Sequence, residues 1–242
     1  MKNKFTIITV VFNNRAGFEK TLNSVVSQDF PDVEYIVIDG GSTDGTVEMI
    51  KQNEIHITEW ISEKDNGIYN AMNKGISRAT GDWVCFLNGG DVFADSKVLS
   101  KVAQAVENTN AKIVYGNHLM EKNGKKIEII AKEPCNLHHI WFCHQSAFVR
   151  LPLLQRIRFD ENHKLSADFK FFKQCYYEKC RFLHLHFPVA VFDKSGISNT
   201  ERNKGLRDNM AVVKSTDKGF VKWKFLLKLW FVITWRKING EN

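Results

Sequence analysis

The chain has 242 residues, is 43% hydrophobic and 25% charged, and contains only four prolines; it fits one large domain or a domain with an appendage, which excludes a fibrous or disordered chain. Its formal net charge of +7 is unevenly placed: residues 1–193 carry 23 basic and 23 acidic side chains, whereas residues 194–242 carry 11 and 4. A body of zero net charge excludes broad nucleic-acid binding, and the basic tail points to an anionic surface or ligand.

The opening Met-Lys-Asn-Lys precedes a polar-interrupted, β-branched run and then Asn13-Asn14, so no signal peptide is expected. That run, FTIITVVF (5–12), reads as a buried strand. Residues 15–28 follow as a helix with Phe18, Leu22, Val25 and Val26 on one face and Asn13 or Asn14 as N-cap. VEYIVID is a second strand ending at Asp39; GGSTDGT leads into a helix over Thr46–Asn53; HITEWIS is a third strand. IYNAMNKGISRA is a helix with Ile68, Met72 and Ile76 on one face, and DWVCFLN a fourth strand. Strands alternating with helices at this spacing predict a doubly wound, mostly parallel α/β sheet of Rossmann-like type. Beyond it, AKIVYGNHLM and KKIEIIAK read as a hairpin about Asn123-Gly124, LSADFKFFKQCYYEK as a helix, and RFLHLHFPVAVF as a strand. Five cysteines, an odd number with no CxxC, suit a reducing cytosol.

In open α/β sheets ligands sit beyond the carboxyl ends of the strands. Asn13-Asn14, Asp39-Gly40-Gly41-Ser42, Asp65-Asn66-Gly67 and Asn88-Gly89-Gly90-Asp91 all follow strands, so all should gather on one rim. A glycine-rich turn with one acid is often only a turn. Four such loops on one edge make a candidate site.

VVFNN, IDGGSTDGT and EKDNGIYNAMNKGISRATGDWVCFLNGGD resemble glycosyltransferase family 2, inverting enzymes of the GT-A fold. More narrowly they are similar to a bacterial surface-polysaccharide branch with the pattern D-x-G-I-Y-D/N-A-M-N-K-G-I followed by L-N-S-G-D. HQSAF (144–148), SADFKFF (166–172) and SGIS (195–198) continue the likeness, which covers about residues 4–200. Two features depart from the broader family: many members show Asp-x-Asp or Asp-Asp at the strand end, whereas this chain keeps only the last acid, Asp91, with Gly90 where another would stand, and Met72 stands where many members carry Arg.

The resemblance implies a nucleotide-diphosphate sugar donor, UDP-type, and a saccharide or polyprenyl-diphosphate-linked acceptor. Asp91 would be the ligand of Mg²⁺ or Mn²⁺, for which one carboxylate plus substrate phosphates suffices. Thr9, Phe12, Asn13, Asp39, Asp65, Gly67, Asn73, Lys74, Asn88, Gly89 and Gly90 would contact the nucleotide sugar, with Ser42, Thr43 or Asp44 capping the next helix. Trp141, His144 and Gln145 would lie near the acceptor and donor sugar. Asp168, at a helix start, matches the general base, with Asp160 and Glu161 as competitors. The run Cys135, His138, His139, Cys143, His144 matches no common zinc spacing and reads as core. Lys194-Ser195-Gly196 with Arg202, Lys204 and Arg207 would form a closing segment or a solvated linker.

The expected organisation is a GT-A domain over 1–215, with a nucleotide-sugar half (1–92) and an acceptor half (93–215), then a basic amphipathic segment over 216–242. In that segment Phe220, Trp223, Leu227 and Trp230 form one helical stripe with Lys218 and Lys222 opposite. Its uncharged run is too short to span a bilayer. It reads either as an in-plane helix on an anionic membrane, which would place the protein in the cytoplasm at the inner face of the cell membrane, or as a helix docked on the core. Two rival functions stay open: a sugar nucleotidyltransferase, although Asn13-Asn14-Arg15 lacks the glycines it would want, and a non-catalytic GT-A-like scaffold.

Overall fold

The structure, a computed structural model, describes residues 3–122, 124–193 and 201–240. Lys194-Ser195-Gly196, the rest of the SGIS motif, and Asn123 of the hairpin turn lie outside the described residues. Strands β1 (Phe5–Val11), β2 (Val33–Asp39), β3 (Glu59–Ser62) and β4 (Trp83–Phe86) alternate with helices α1 (Arg15–Val26), α2 (Thr46–Gln52) and α3 (Ile68–Arg78). They pair in parallel in the order β3-β2-β1-β4, with Val11 beside Asp39 and Asp39 beside Ser62. Helices on both faces bury these strands, so they read as continuous apolar runs rather than alternating ones. The third strand is shorter than HITEWIS suggested, because Glu54–His56 form a 3₁₀ turn whose polar side chains stay outside.

In the second half strand directions become mixed. Short β5 (Val92–Phe93) and α4 (Val98–Val106) lead to the hairpin β6 (Ile113–Lys122) and β7 (Lys125–Ile129). Then come β8 (Ala147–Arg150), α5 (Leu151–Ile157), α6 (Ala167–Tyr177) and β9 (Phe182–Phe192). The sheet runs on from β4 as β8-β6-β9-β5, with β8 antiparallel to both β4 and β6, β9 parallel to β6, and β5 antiparallel to β9. The doubly wound parallel pattern therefore holds only through β4, and the whole is a mixed α/β sheet. Cores fill both faces: Ile8, Ile38, Met72, Tyr115 and Phe171 on one, Phe18, Val37, Trp83, Leu99 and Phe148 on the other.

Two terminal helices, α7 (Arg202–Thr216) and α8 (Gly219–Ile238), pack on α6 through Phe169, Val212, Val213, Phe225, Leu226 and Leu229. Asp217, between them, accepts from Lys173 of α6 at 2.7 Å and from the Tyr177 hydroxyl at 2.7 Å, and neither member of the ion pair is exposed. The remaining Lys173 protons reach Asn136 Oδ1 and the Leu137 carbonyl. A desolvated pair needs this complete set of partners. The stripe Phe220, Trp223, Leu227 and Trp230 stays 59–82% exposed, while the neighbouring stripe Phe225, Leu226, Leu229, Ile233 faces the core. The helix thus has two apolar faces, which accounts for an apolar run that the sequence could read either way.

Candidate active site

The carboxyl ends of β1 to β4 open onto one cleft of about 1570 Å³, walled on its far side by α6, α7 and α8. Its rim is built by side chains that tie one loop to the next. Asn14 caps α1 by accepting from Gly17 N–H, and its amide donates to the Gly89 carbonyl at 2.9 Å. Asn13 takes a positive φ of 45°, which asparagine tolerates, so that its Oδ1 accepts from Thr43 N–H while its own N–H donates to Ser42 Oγ. Thr21 of α1 holds the Asn88–Asp91 turn: its hydroxyl lies 2.8 Å from the Asp91 carbonyl and accepts from Gly90 N–H. The N-cap of α2 is Gly45, which offers no side-chain cap; Asp44 before it accepts from Thr46 N–H and hydroxyl.

Asp91 is not held out toward solvent. It is 4% exposed; Oδ2 accepts from the Gln145 amide at 3.0 Å and Oδ1 from Asp193 N–H at 2.9 Å. Burial pushes its carboxyl up to about 6, against the pull of those hydrogen bonds. Asp168, in the first turn of α6, accepts from the Tyr69 hydroxyl at 2.8 Å and pairs with His144 Nδ1 at 3.1 Å. Burial opposes its ionisation, but the His144 and Tyr69 contacts prevail and hold it below the ordinary aspartate range. His144 and Gln145 are consecutive in a 3₁₀ turn before β8, so one turn couples the two acids: His144 to Asp168, Gln145 to Asp91. Cys143 fixes the Gln145 amide by donating to its Oε1, leaving the nitrogen to face Asp91.

The structure gathers many of the expected residues on this cleft. Phe12, Asn13, Asp65 and Gly67 line it, as do Asn88, Gly89, Asp91, Trp141, His144, Gln145 and Asp168. Asp65 fills space left by Gly40, where a Cβ would come within 2.9 Å of its Oδ2; burial raises its carboxyl pKa. Five expected residues do not line the cleft. Thr9 is wholly buried, donating to the Leu87 carbonyl and accepting from Tyr35, because strand alternation turns it into the core. Asn73 clasps the Phe159 backbone and Glu161, since its helix face meets residues 158–161. Lys74 is held by Glu63 at 2.8 Å and the Lys64 carbonyl. Gly90 lies behind the turn, against Asp193. Asp39 sits one layer back: Oδ2 accepts from Gly41 N–H, Ser42 N–H and the Ser62 hydroxyl, shaping the loop. The competing acids are committed elsewhere, Asp160 to Lys170, which lowers its carboxyl to about 2, and Glu161 to Asn70 and Asn73.

Sequence reasoning missed Tyr69, Thr21 and Asp193. Asp193 directly follows β9, which ends at Phe192, so the strand-end rule could have found it. Thr21 carries no local signal, and Tyr69, although it lies in the D-x-G-I-Y pattern, has its partner, Asp168, 99 positions away.

Several buried acceptors in and behind this rim, Asp39 Oδ1, Asp65 Oδ1 and Asn88 Oδ1, have no hydrogen-bond partner among the described residues. Such groups fit a ligand rich in N–H and O–H donors. For a divalent cation, Asp91 with Asp193 beside it offers hard oxygens of the type Mg²⁺ and Mn²⁺ accept, so the residues fit that group.

Residues 6–180 match the profile described as Glycosyl transferase family 2, and the chain belongs to that family. A Mycobacterium bovis protein named PGL/p-HBAD biosynthesis glycosyltransferase is 29% identical over 203 residues, 81% of this chain and 79% of the relative. A Bacillus subtilis protein named putative teichuronic acid biosynthesis glycosyltransferase TuaG is 31% identical over 137 residues, 54% of each chain. Among solved structures, S. aureus TarS 1–349 in complex with UDP-GlcNAc superposes with a TM-score of 0.72 at 18% identity, covering 94% of this chain and 71% of that one. The mannosyltransferase PcManGT from Pyrobaculum calidifontis, solved with GDP-Man and Mn²⁺, gives 0.69 at 18% identity, covering 96% and 70%. These likenesses establish the GT-A fold for the present chain.

Proposed function

We propose that the protein moves one sugar, with inversion, from a nucleotide-diphosphate donor of UDP type to a saccharide or polyprenyl-diphosphate-linked acceptor in surface glycan or glycolipid synthesis. The observation that carries this reading is the His144-Gln145 turn, which holds Asp168 and Asp91 on one cleft. The orphaned acceptor of Asp65 suits the N–H and O–H groups of a base or ribose, with Phe12, 63% exposed on the rim, available to stack.

A divalent cation held by Asp91 supplies, when bound, the positive charge that stabilises a departing diphosphate. Asp168 takes the proton of the acceptor hydroxyl; the oxygen bonds to the anomeric carbon, and the bond to the diphosphate breaks with its electron pair leaving on phosphate. Tyr69 and His144 keep Asp168 ionised and aimed. Attack from the face opposite the leaving group inverts the anomeric centre.

The exposed stripe of α8 supports docking on an anionic membrane: Trp223, Trp230, Phe231 and Trp235 lie among Lys224, Lys228 and Lys237. No helix among the described residues is long and apolar enough to cross a membrane.

Transfer from labelled UDP-sugars to lipid-extract acceptors tests the reaction. Asp168→Asn is expected to lower kcat by about 10²–10⁴-fold with UDP affinity unchanged. Full activity in that variant would remove Asp168 from its role.

A further inference from the structure

The turn Asn88-Gly89-Gly90-Asp91 carries a single acid, and the chain has glycine where the broader pattern places another. The structure puts a carboxylate back into that space from a different strand. Antiparallel pairing of β5 with β9 sets Val92 opposite Val191, so the end of β9 runs alongside the turn. Asp193 N–H donates to Asp91 Oδ1 at 2.9 Å. A Cβ built on Gly90 would lie 2.4 Å from Asp193 Oδ2 and 3.2 Å from its Cγ. Gly90, at φ 113°, therefore leaves room for the Asp193 carboxylate, as Gly40 does for Asp65. Asp193 also lines the cleft together with Asp91 and Asn88.

We propose that Asp193 is the second carboxylate of the divalent-cation site, replacing in space the acid absent from position 90. This rests on the reading of Asp91 as the cation ligand. Two carboxylates beside open cleft volume match what Mg²⁺ and Mn²⁺ take from a protein, the other positions going to phosphates and water. The glycine at 90 is then part of the site's construction: an acid there would displace Asp193 rather than add to it.

Binding of Mn²⁺, followed by loss of the free-ion EPR signal with UDP or GDP present, tests this on purified full-length protein. Asp91→Asn is expected to abolish binding, and Asp193→Asn to weaken it by about tenfold or more. UDP affinity in EDTA and the melting temperature of Asp193→Asn should match the parent, separating loss of a ligand from loss of fold. Asp193→Cys should lose Mn²⁺ affinity and gain Cd²⁺ affinity, with a thiolate-to-metal absorption band, because soft sulfur prefers the softer ion. A purely structural Asp193 could not produce that exchange. Parent-like Mn²⁺ affinity in Asp193→Asn alongside loss in Asp91→Asn would overturn the role of Asp193 and leave the proposed function standing. Mn²⁺ binding unchanged by Asp91→Asn would instead overturn the cation site on which both rest.

Discussion

Every residue of β1 and β4, and all of β2 but Val33, is buried, and the groups with chemistry stand only at or beyond the strand ends. Helix α8 is the opposite case: four of its 20 residues are buried, and its tryptophans 223, 230 and 235 face outward. Both segments are apolar in sequence. In the sheet, helices on both faces enclose the strand, so apolar character and burial coincide. In the tail, one cluster and one ion pair decide which stripe is covered. The first region should therefore resist loss of any single polar contact but not added volume, and the second should depend on its anchors.

The largest effect is expected at Asp217→Ala, which strands the fully buried Lys173 ammonium and should cost about 3–5 kcal/mol in urea unfolding. Replacing both partners, Lys173→Met with Asp217→Leu, should recover most of that loss, because no uncompensated charge is left. In the sheet, Gly75→Ala places a Cβ 2.6 Å from Ile8 Cγ2, between α3 and β1, and should cost about 1–3 kcal/mol by overpacking. An unchanged unfolding midpoint would show that α3 can shift, against the rigid packing argued for this half.

Glu34 gives a smaller, pH-dependent effect. Burial disfavours its ionised form, but hydrogen bonds from Thr6, Thr80 and Lys4 prevail and hold its carboxyl below the ordinary value of 4.5. The unfolded chain regains the ordinary value and binds the extra proton, so the stabilisation is complete above about pH 4.5 and fades as pH falls through the folded value. Glu34→Gln should flatten the stability profile in that acid window. Least of all, Trp223→Ser with Trp230→Ser should shift stability by no more than about 0.5 kcal/mol, since these rings touch little of the core. Sedimentation with phosphatidylglycerol vesicles should nevertheless be lost; retention at parent level would count against membrane docking through this face.

The parallel half and the rim it makes were legible from sequence, because strand-end loops carry Asn13, Asp65 and Asp91 at positions that topology alone brings together. Side-chain direction was less legible. Thr9 belongs to the motif yet points into the core, and Asn73 and Lys74 face neighbours at residues 158–161 and 63–64 that no local pattern reveals. The β6–β7 hairpin was legible, but the place of β8 was hidden for the same reason: its partners β4 and β6 are not its sequence neighbours and are reached only after the chain returns.

That return governs the order in which the molecule can assemble. Because β8 slots between β4 and β6, and Gln145 meets Asp91 across 54 positions of chain, the nascent protein cannot bring this turn against Asp91 until residue 150 has emerged from the ribosome. Until then β4, paired with β1 on one side, presents its other edge as an unpaired, apolar margin, the kind of surface that recruits other chains. Truncation after Asp91 is therefore expected to yield insoluble material rather than a small nucleotide-binding fragment, and chaperone demand during synthesis should peak over this interval.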